Sequence, residues 1–124
     1  MALSLQQART TVKTASGLDG LAGLWQIAAP FLLGYSAFTT ALWNDVITGA
    51  AVLLLAGTRT LGSNYRVAWP SWINALIGVW LFVSPLVLNY PAGSVAATND
   101  MIMGVVITIL ALWSALATPK VQEM

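Results

Sequence analysis

Two Asn-Asp pairs are the side chains in this sequence that are best suited to chemistry. Asn44-Asp45 and Asn99-Asp100 lie 55 residues apart, and each precedes an apolar stretch. Two facing carboxylates could attract cations at a shared vestibule, and a spaced carboxyl pair also carries out glycoside hydrolysis. Alternatively, each Asn caps a helix and each Asp lies at the positive end of the helix dipole. The short connecting loops leave little room for a sugar cleft, which disfavours the enzymatic alternative.

A second polar pair matches at the same offset. Asp19 and Asn74 each lie three residues after a serine, Ser16 or Ser71, at the start of an apolar run. A Ser-x-x-Asp pattern is typical of a capping box, which would place Asp19 in the first turn of a helix. If that helix begins earlier, Asp19 lies inside the membrane instead, where an acidic residue is a functional candidate.

The composition excludes most other site chemistry. The 124 residues include no His and no Cys, which excludes His- or Cys-ligated zinc, haem and Fe–S sites as well as thiol chemistry. The sequence therefore predicts no catalytic residue, no metal site and no cofactor, and its net charge of +1 gives no indication of nucleic-acid binding. Charged residues make up 7% of the chain and apolar residues 58%, whereas a soluble domain carries about 25% charged residues. The predicted solvent is the lipid bilayer.

An internal repeat organises the sequence. Residues 23–35 (GLWQIAAPFLLGY) and 78–90 (GVWLFVSPLVLNY) share Gly, Trp, Pro, Leu and Tyr at an offset of 55, which also relates the two Asn-Asp pairs. We interpret this pattern as an internal duplication. Each unit contains two apolar stretches near the short end of the ~17–25 residues that a spanning helix needs, without the alternation of a membrane strand.

The predicted fold is an all-α membrane protein with four transmembrane helices in two tandem repeats. The chain divides into an N-terminal segment 1–15 that could form a surface helix, repeat 1 at 16–62 with helices 17–35 and 45–62, a linker 63–70, repeat 2 at 71–118 with helices 72–90 and 100–118, and a tail 119–124.

All five basic residues fall on one predicted side of the membrane. Arg9 and Lys13 precede the first span, Arg59 and Arg66 flank the join between the repeats, and Lys120 follows the last span. By the positive-inside rule both termini and the linker are cytoplasmic. Two units that enter from the same side are parallel, related by an approximate two-fold axis along the membrane normal.

Prolines and tryptophans recur inside the first helix of each repeat. Pro30 and Pro85 each free a carbonyl group one turn earlier, which predicts either a kink that neighbours satisfy or a pair of broken helices lining a transport path. Ser84 can satisfy the second freed carbonyl, and the first repeat has no equivalent donor. Trp25 and Trp80 either fill the seam between the repeats or bind a cofactor, and the sequence favours the seam.

The residues that carry the repeat resemble those of the SPW repeat family. Residues 72–85 match the pattern W-x-N-x3-G-x-W-L-x2-S-P, and Asn99, Asp100 and Gly104 follow. The resemblance covers residues 16–117. It implies a small prokaryotic membrane protein of two repeats, each with two transmembrane helices, and it implies no activity. The chain has Leu86 where the family's name motif has Trp.

Two functional hypotheses follow from these features. The first is a non-enzymatic structural or accessory module of the prokaryotic cytoplasmic membrane. It would contact lipid and self-associate, or bind subunits of a larger complex, through small-residue faces such as Gly17, Gly20 and Gly23. The second is a small transporter or channel with a path between the repeats or at an oligomer axis, suggested by the duplication, the prolines and the Asp45–Asp100 pair. We prefer the first, since few charges remain for chemistry.

Overall fold

The computed structural model is a bundle of four α-helices. It describes residues 4–61 and 66–118, so residues 1–3, part of the predicted linker, Lys120 and the predicted tail 119–124 lie outside the described residues. The helices are α1 at Leu5–Leu32, α2 at Thr39–Thr60, α3 at Trp69–Val87 and α4 at Val95–Leu116. The described residues contain no strand, and the predicted all-α fold of four helices is confirmed.

Helix α1 begins well before its predicted start at residue 17. Ser4 is the N-cap, and its side chain and backbone exchange hydrogen bonds of 3.1 Å with Gln7 in a capping box. Ala8, Val12 and Ala15 are buried at helical spacing, so the first turns of α1 pack on the bundle. The prediction of a separate N-terminal segment ending at residue 15 is therefore wrong, because the row of buried residues at the start of α1 continues directly into the apolar part of the same helix.

Helices α2 and α4 also begin earlier than predicted. Phe38 is the N-cap of α2 without a side-chain hydrogen bond, and Ser94 caps α4 by accepting from the amide of Ala97 at 3.1 Å. Asn44 and Asn99 consequently lie in the second turn of their helices. Their predicted N-cap roles are wrong, because both side chains bond to other helices instead of to their own helix ends.

Helices α1 and α3 end alike. A residue with left-handed backbone follows each C-cap, Gly34 with φ 83° and Asn89 with φ 56°. The amide of the next tyrosine donates over 2.9 Å to the carbonyl of Pro30 or Pro85, as in a Schellman motif. The prolines thus lie in the last helical turn, nearer the helix end than predicted. Ser84 donates at 2.9 Å to the carbonyl that Pro85 frees, which confirms the predicted satisfaction of that group.

The helices pack in a ring in which α1 and α3 each contact α2 and α4. The loops 33–38 and 88–94 meet at one end, here called the loop end, where the rings of Phe38 and Tyr90 stack edge-on with centroids 5.0 Å apart. The other end, called the terminal end, contains the start of α1 and the connection between α2 and α3. There the Lys13 ammonium donates to the carbonyl of Thr60 at 3.0 Å.

Glycines allow close approach within each helical hairpin. A Cβ atom on Gly23 would lie 2.7 Å from the carbonyl oxygen of Gly49, and one on Gly104 would lie 2.6 Å from that of Gly78. These two crossings join α1 to α2 and α3 to α4 at positions that differ by 55 residues. The small-residue face around Gly23 therefore packs within the chain, which answers whether it faces its own helices or another molecule.

The exposed surface is apolar and the interior is small and polar. Leu21, Leu54, Leu86 and Leu116 are more than half exposed, whereas the buried positions are mostly alanine, glycine and polar residues. Helices α2, α3 and α4 are each long and apolar enough to cross a membrane. This distribution fits a protein whose outer surface contacts lipid tails.

Candidate functional site

Polar side chains fill the bundle interior in two groups. The first, here called the loop-end network, joins all four helices near the loops 33–38 and 88–94. Its members are Trp25, Gln26, Tyr35, Asn44, Asp45, Trp80, Ser84, Tyr90, Asn99 and Asp100. Seven of them are residues that the sequence singled out: the two tryptophans, both Asn-Asp pairs and Ser84.

Tryptophan and asparagine side chains connect the two hairpins reciprocally. Trp25 Nε1 in α1 donates to Asn99 Oδ1 in α4 at 3.0 Å, and Trp80 Nε1 in α3 donates to Asn44 Oδ1 in α2 at 2.8 Å. Both tryptophans are partly exposed at the bundle surface. Their indole nitrogens therefore form hydrogen bonds from one hairpin to the other.

Two tyrosines continue this reciprocal pattern. Asn99 Nδ2 donates to the Tyr35 hydroxyl at 3.0 Å, and Asn44 Nδ2 donates to the Tyr90 hydroxyl at 3.1 Å. The Tyr35 hydroxyl in turn donates to Asp45. Burial, followed by contact with the nearby acids, raises the pKa of both tyrosines, so each phenol stays neutral and able to donate.

Asp45 and Asp100 are the two acids of the loop-end network, and both are fully buried. Asn99 links their surroundings, since its Nδ2 donates to the Tyr35 hydroxyl at 3.0 Å and to Gln26 Oε1 at 2.8 Å. Asp100 faces two amide donors at 3.4 Å, Gln26 Nε2 in α1 and Asn44 Nδ2 in α2, and the Ser84 hydroxyl in α3 lies 3.5 Å from it. The predicted placement of the two acids as caps at the membrane boundary is wrong, since both point into the bundle one turn beyond the helix start.

An aliphatic layer separates the loop-end network from the rest of the interior. Val52, Leu81 and Ile107 are fully buried and pack together with Ala22. Val52 lies seven residues from Asp45 along its helix, so the layer stands about 10 Å below the acid pair at 1.5 Å per residue. Among the described contacts, no chain of hydrogen bonds crosses this layer from the loop-end network to the second polar group.

The second group, here called the terminal-end network, includes the other predicted polar pair. Asp19 is 2% exposed and lies at the middle of α1, where Asn74 Nδ2 donates to its Oδ2 at 3.2 Å and to the carbonyl of Val52 at 3.2 Å. The predicted capping role of Asp19 and Asn74 is wrong because both helices begin earlier. The alternative, a buried acid inside the bundle, is what the structure contains.

Arg59 occupies the terminal-end network and is fully buried. Its guanidinium donates to the Ser71 hydroxyl at 2.6 Å, to the Ser114 hydroxyl at 2.9 Å and to Thr118. Ser16 and Ser114 hydroxyls also bond each other at 2.6 Å. The sequence analysis placed Arg59 at a flank of the membrane and missed this interior role. The equivalent position of the second repeat, 55 residues later, is Ser114, so the two repeats differ in residue type here.

The chemistry available to the loop-end network is proton exchange and hydrogen bonding. In the described part of the chain no group of three or more His, Cys, Asp or Glu could hold a metal ion. A groove of about 540 Å³ opens between α2 and α3 beside the network, and Asn44, Trp80 and Trp43 line it. Sequence reasoning did not assign Tyr35 and Tyr90 to the site, although their identity at the offset of 55 places them with the Asn-Asp pairs.

A comparison with protein families supports the resemblance noted in the sequence. The family model of the SPW repeat domain matches residues 13–114, which is most of the chain. No curated protein and no solved structure matches the sequence.

Proposed function

The chain belongs to the SPW repeat family, and we propose that it is a non-enzymatic membrane module with a structural or accessory role. The observation that carries this proposal is the closed interior. Gln26, Asn99 and Asp100 are buried, and each bonds to a residue of the opposite hairpin. Such polar contacts fix one arrangement of helices in a membrane, where no hydrophobic effect drives helix to helix.

We further propose that this module lies in the prokaryotic cytoplasmic membrane with both termini in the cytoplasm, and that it associates with copies of itself or with subunits of a larger complex. The basic residues near the terminal end support the orientation. The apolar outer faces of α3 and α4, with Leu86 and Leu116 exposed, provide surface for lateral contacts. A reporter fused after Met124 should read cytoplasmic, and one inserted at Gly93 should read external.

Purification in mild detergent tests the accessory role. We expect the protein to leave the membrane as a homo-oligomer or together with other membrane subunits. Proteoliposomes that contain the purified protein should show the ion and proton leak of empty liposomes, both for the wild type and for Asp45→Asn/Asp100→Asn. A monomer without partners, combined with measurable flux, would overturn the proposal.

A second candidate is a small transporter or channel, and one specific observation favours it. Three carboxyl groups, those of Asp19, Asp45 and Asp100, lie in the interior of a membrane bundle, where acids often mark ion or proton pathways. The aliphatic layer at Val52 and Leu81 opposes a path through a single chain. Flux that disappears in Asp45→Asn/Asp100→Asn would replace the accessory proposal with this one.

A further inference from the structure

Asp45 and Asp100 are both fully buried and lie in one hydrogen-bonded network, which runs from one acid to the other through Tyr35, Asn99 and Gln26. An ionised carboxylate only accepts hydrogen bonds, so two carboxyl groups bond each other only when one of them carries a proton. Asp45 Oδ2 accepts from Tyr35, but its buried Oδ1 has no hydrogen-bond partner among the described side chains and backbone groups. A proton shared with Asp100 would supply the donor that this oxygen lacks.

We propose that the Asp45–Asp100 pair is a proton-binding site that holds one proton between its two carboxyl groups. The surrounding donors select a proton over a metal cation. Asp100 is approached by the amide nitrogens of Gln26 and Asn44 and by the Ser84 hydroxyl, whereas Na⁺, Mg²⁺ or Ca²⁺ would need several oxygen ligands turned toward the same point.

Groups from every neighbouring element face the pair. Helices α1 and α3 contribute Gln26 and Ser84, which do not titrate, and the two loops contribute Tyr35 and Tyr90. Both phenols are buried and neutral, so neither adds charge to the site. Asp19 and Arg59 lie in the terminal-end network beyond the aliphatic layer.

The groove between α2 and α3 gives this site a route for proton exchange. Asn44 lines the groove, and its Nδ2 lies 3.4 Å from Asp100 Oδ2. A water molecule that enters the groove from the loop end would therefore be separated from Asp100 by one side chain. The site binds and releases its proton from that end and does not pass it across the aliphatic layer.

Infrared spectroscopy of the full-length protein in lipid nanodiscs tests the proposal directly. The chain has only four acidic side chains, so the carbonyl band of a protonated carboxylic acid can be assigned by a few variants. Asp19→Asn is the background for the test, because Asp19 is another buried acid with an unpartnered oxygen. We expect such a band in Asp19→Asn, a shift of it in D2O, and its complete loss in the double variant Asp45→Asn/Asp100→Asn made in that background.

Two results would overturn the site. One is a band that is absent from Asp19→Asn or that persists in the double variant made in that background, because the proton would then not reside on Asp45 and Asp100. The other is a band that does not shift in D2O while the protein stays folded, because the route through the groove would be closed. If the double variant does not fold, Tyr35→Phe keeps both acids and removes a donor to Asp45. It should shift the frequency of the band, and an unchanged frequency would also contradict the proposal.

Discussion

Asn44 accepts a hydrogen bond at 2.8 Å from the indole of Trp80, which lies in the other helical hairpin. The reciprocal bond, from Trp25 to Asn99, measures 3.0 Å. Each hairpin thus supplies the donor for a side-chain amide of the other, so neither hairpin satisfies its own polar groups alone. Since lipid tails are as apolar as the helix surfaces, these bonds provide specificity that hydrophobic packing alone cannot.

The tryptophan–asparagine bonds can be tested by removing the indole N–H. Trp80→Phe should lower the free energy of unfolding by about 1 kcal/mol, the usual net value of one buried hydrogen bond. Trp25→Phe should have a similar effect, because its bond is equivalent. Trp43 is 59% exposed, and Trp43→Phe should change stability by less than about 0.5 kcal/mol. Unfolding in mixed detergent micelles measures all three, and equal losses in Trp43→Phe and Trp80→Phe would contradict this role.

Asp19 and Asn74 allow a test of the buried polar pair. Asn74→Ala removes the donor to Asp19 and to the carbonyl of Val52, so it should cost about 1–3 kcal/mol, the penalty of leaving a buried acceptor unsatisfied. Asp19→Asn keeps the shape and an oxygen acceptor at that site, and it should retain most of the stability. Thermal unfolding of both variants in detergent shows which one is less stable. A larger loss of stability in Asp19→Asn than in Asn74→Ala would show that the carboxyl group itself is needed.

The sequence predicted which positions matter better than it predicted their roles. Asn44 and Asn99 have the residue types of N-caps, and the same types also serve as interior amides that bond between helices. The residue types around Asn44 and Asn99 do not distinguish an N-cap from an interior amide. The role depends on where each helix begins, and the N-caps are the earlier residues Phe38 and Ser94. Asp19 was misplaced for the same reason, since the helix that contains it begins at Leu5.

Arg59 shows a second limit of sequence reasoning. The positive-inside rule assigns a side of the membrane to a basic residue and says nothing of its depth in the bundle. Burial of Arg59 depends on hydroxyl groups that α3 and α4 bring to it, at Ser71 and Ser114. These contacts are formed only when the two hairpins meet, so no segment of the sequence contains the information on its own.

The neutral tyrosines predict loss of stability at alkaline pH. Burial raises the pKa of Tyr35 and Tyr90 above the ordinary value of about 10. Above that pH the unfolded chain releases phenolic protons that the folded chain retains, so the free energy of unfolding falls as the pH rises. Tyr90→Phe should be less stable near neutral pH, since it loses the bond from Asn44, but its stability should fall less steeply above pH ~10. Parallel slopes for wild type and variant in a pH series would contradict this origin.

Arg59 should not be replaceable by lysine. Its guanidinium bonds Ser71, Ser114 and Thr118 at once, and a single ammonium group cannot reproduce that spread of donors. Arg59→Lys should therefore lower the free energy of unfolding by about 2 kcal/mol, a value within the range for hydrogen bonds to a charged group. Arg66 is exposed, and Arg66→Lys is the matched control with an expected change below about 0.5 kcal/mol. Similar midpoints of thermal unfolding for the two variants would rule out this role for Arg59.

The glycine crossings give the sharpest packing test, because the chain contains its own control. A Cβ atom at Gly23 would lie 2.7 Å from the carbonyl oxygen of Gly49, and one at Gly78 would lie 2.7 Å from the amide nitrogen of Thr108. Both contacts involve backbone atoms, which cannot turn aside, so Gly23→Ala and Gly78→Ala should each cost about 1–3 kcal/mol by overpacking.

Gly57 lies in α2, where an added Cβ would meet nothing within 4 Å. Gly57→Ala should therefore stabilise the protein by up to about 1 kcal/mol through helix propensity alone. Opposite signs for Gly23→Ala and Gly57→Ala in the same unfolding assay are the expected result. A stabilised Gly23→Ala would show that α1 and α2 do not approach as closely as the crossing at Gly23 and Gly49 requires.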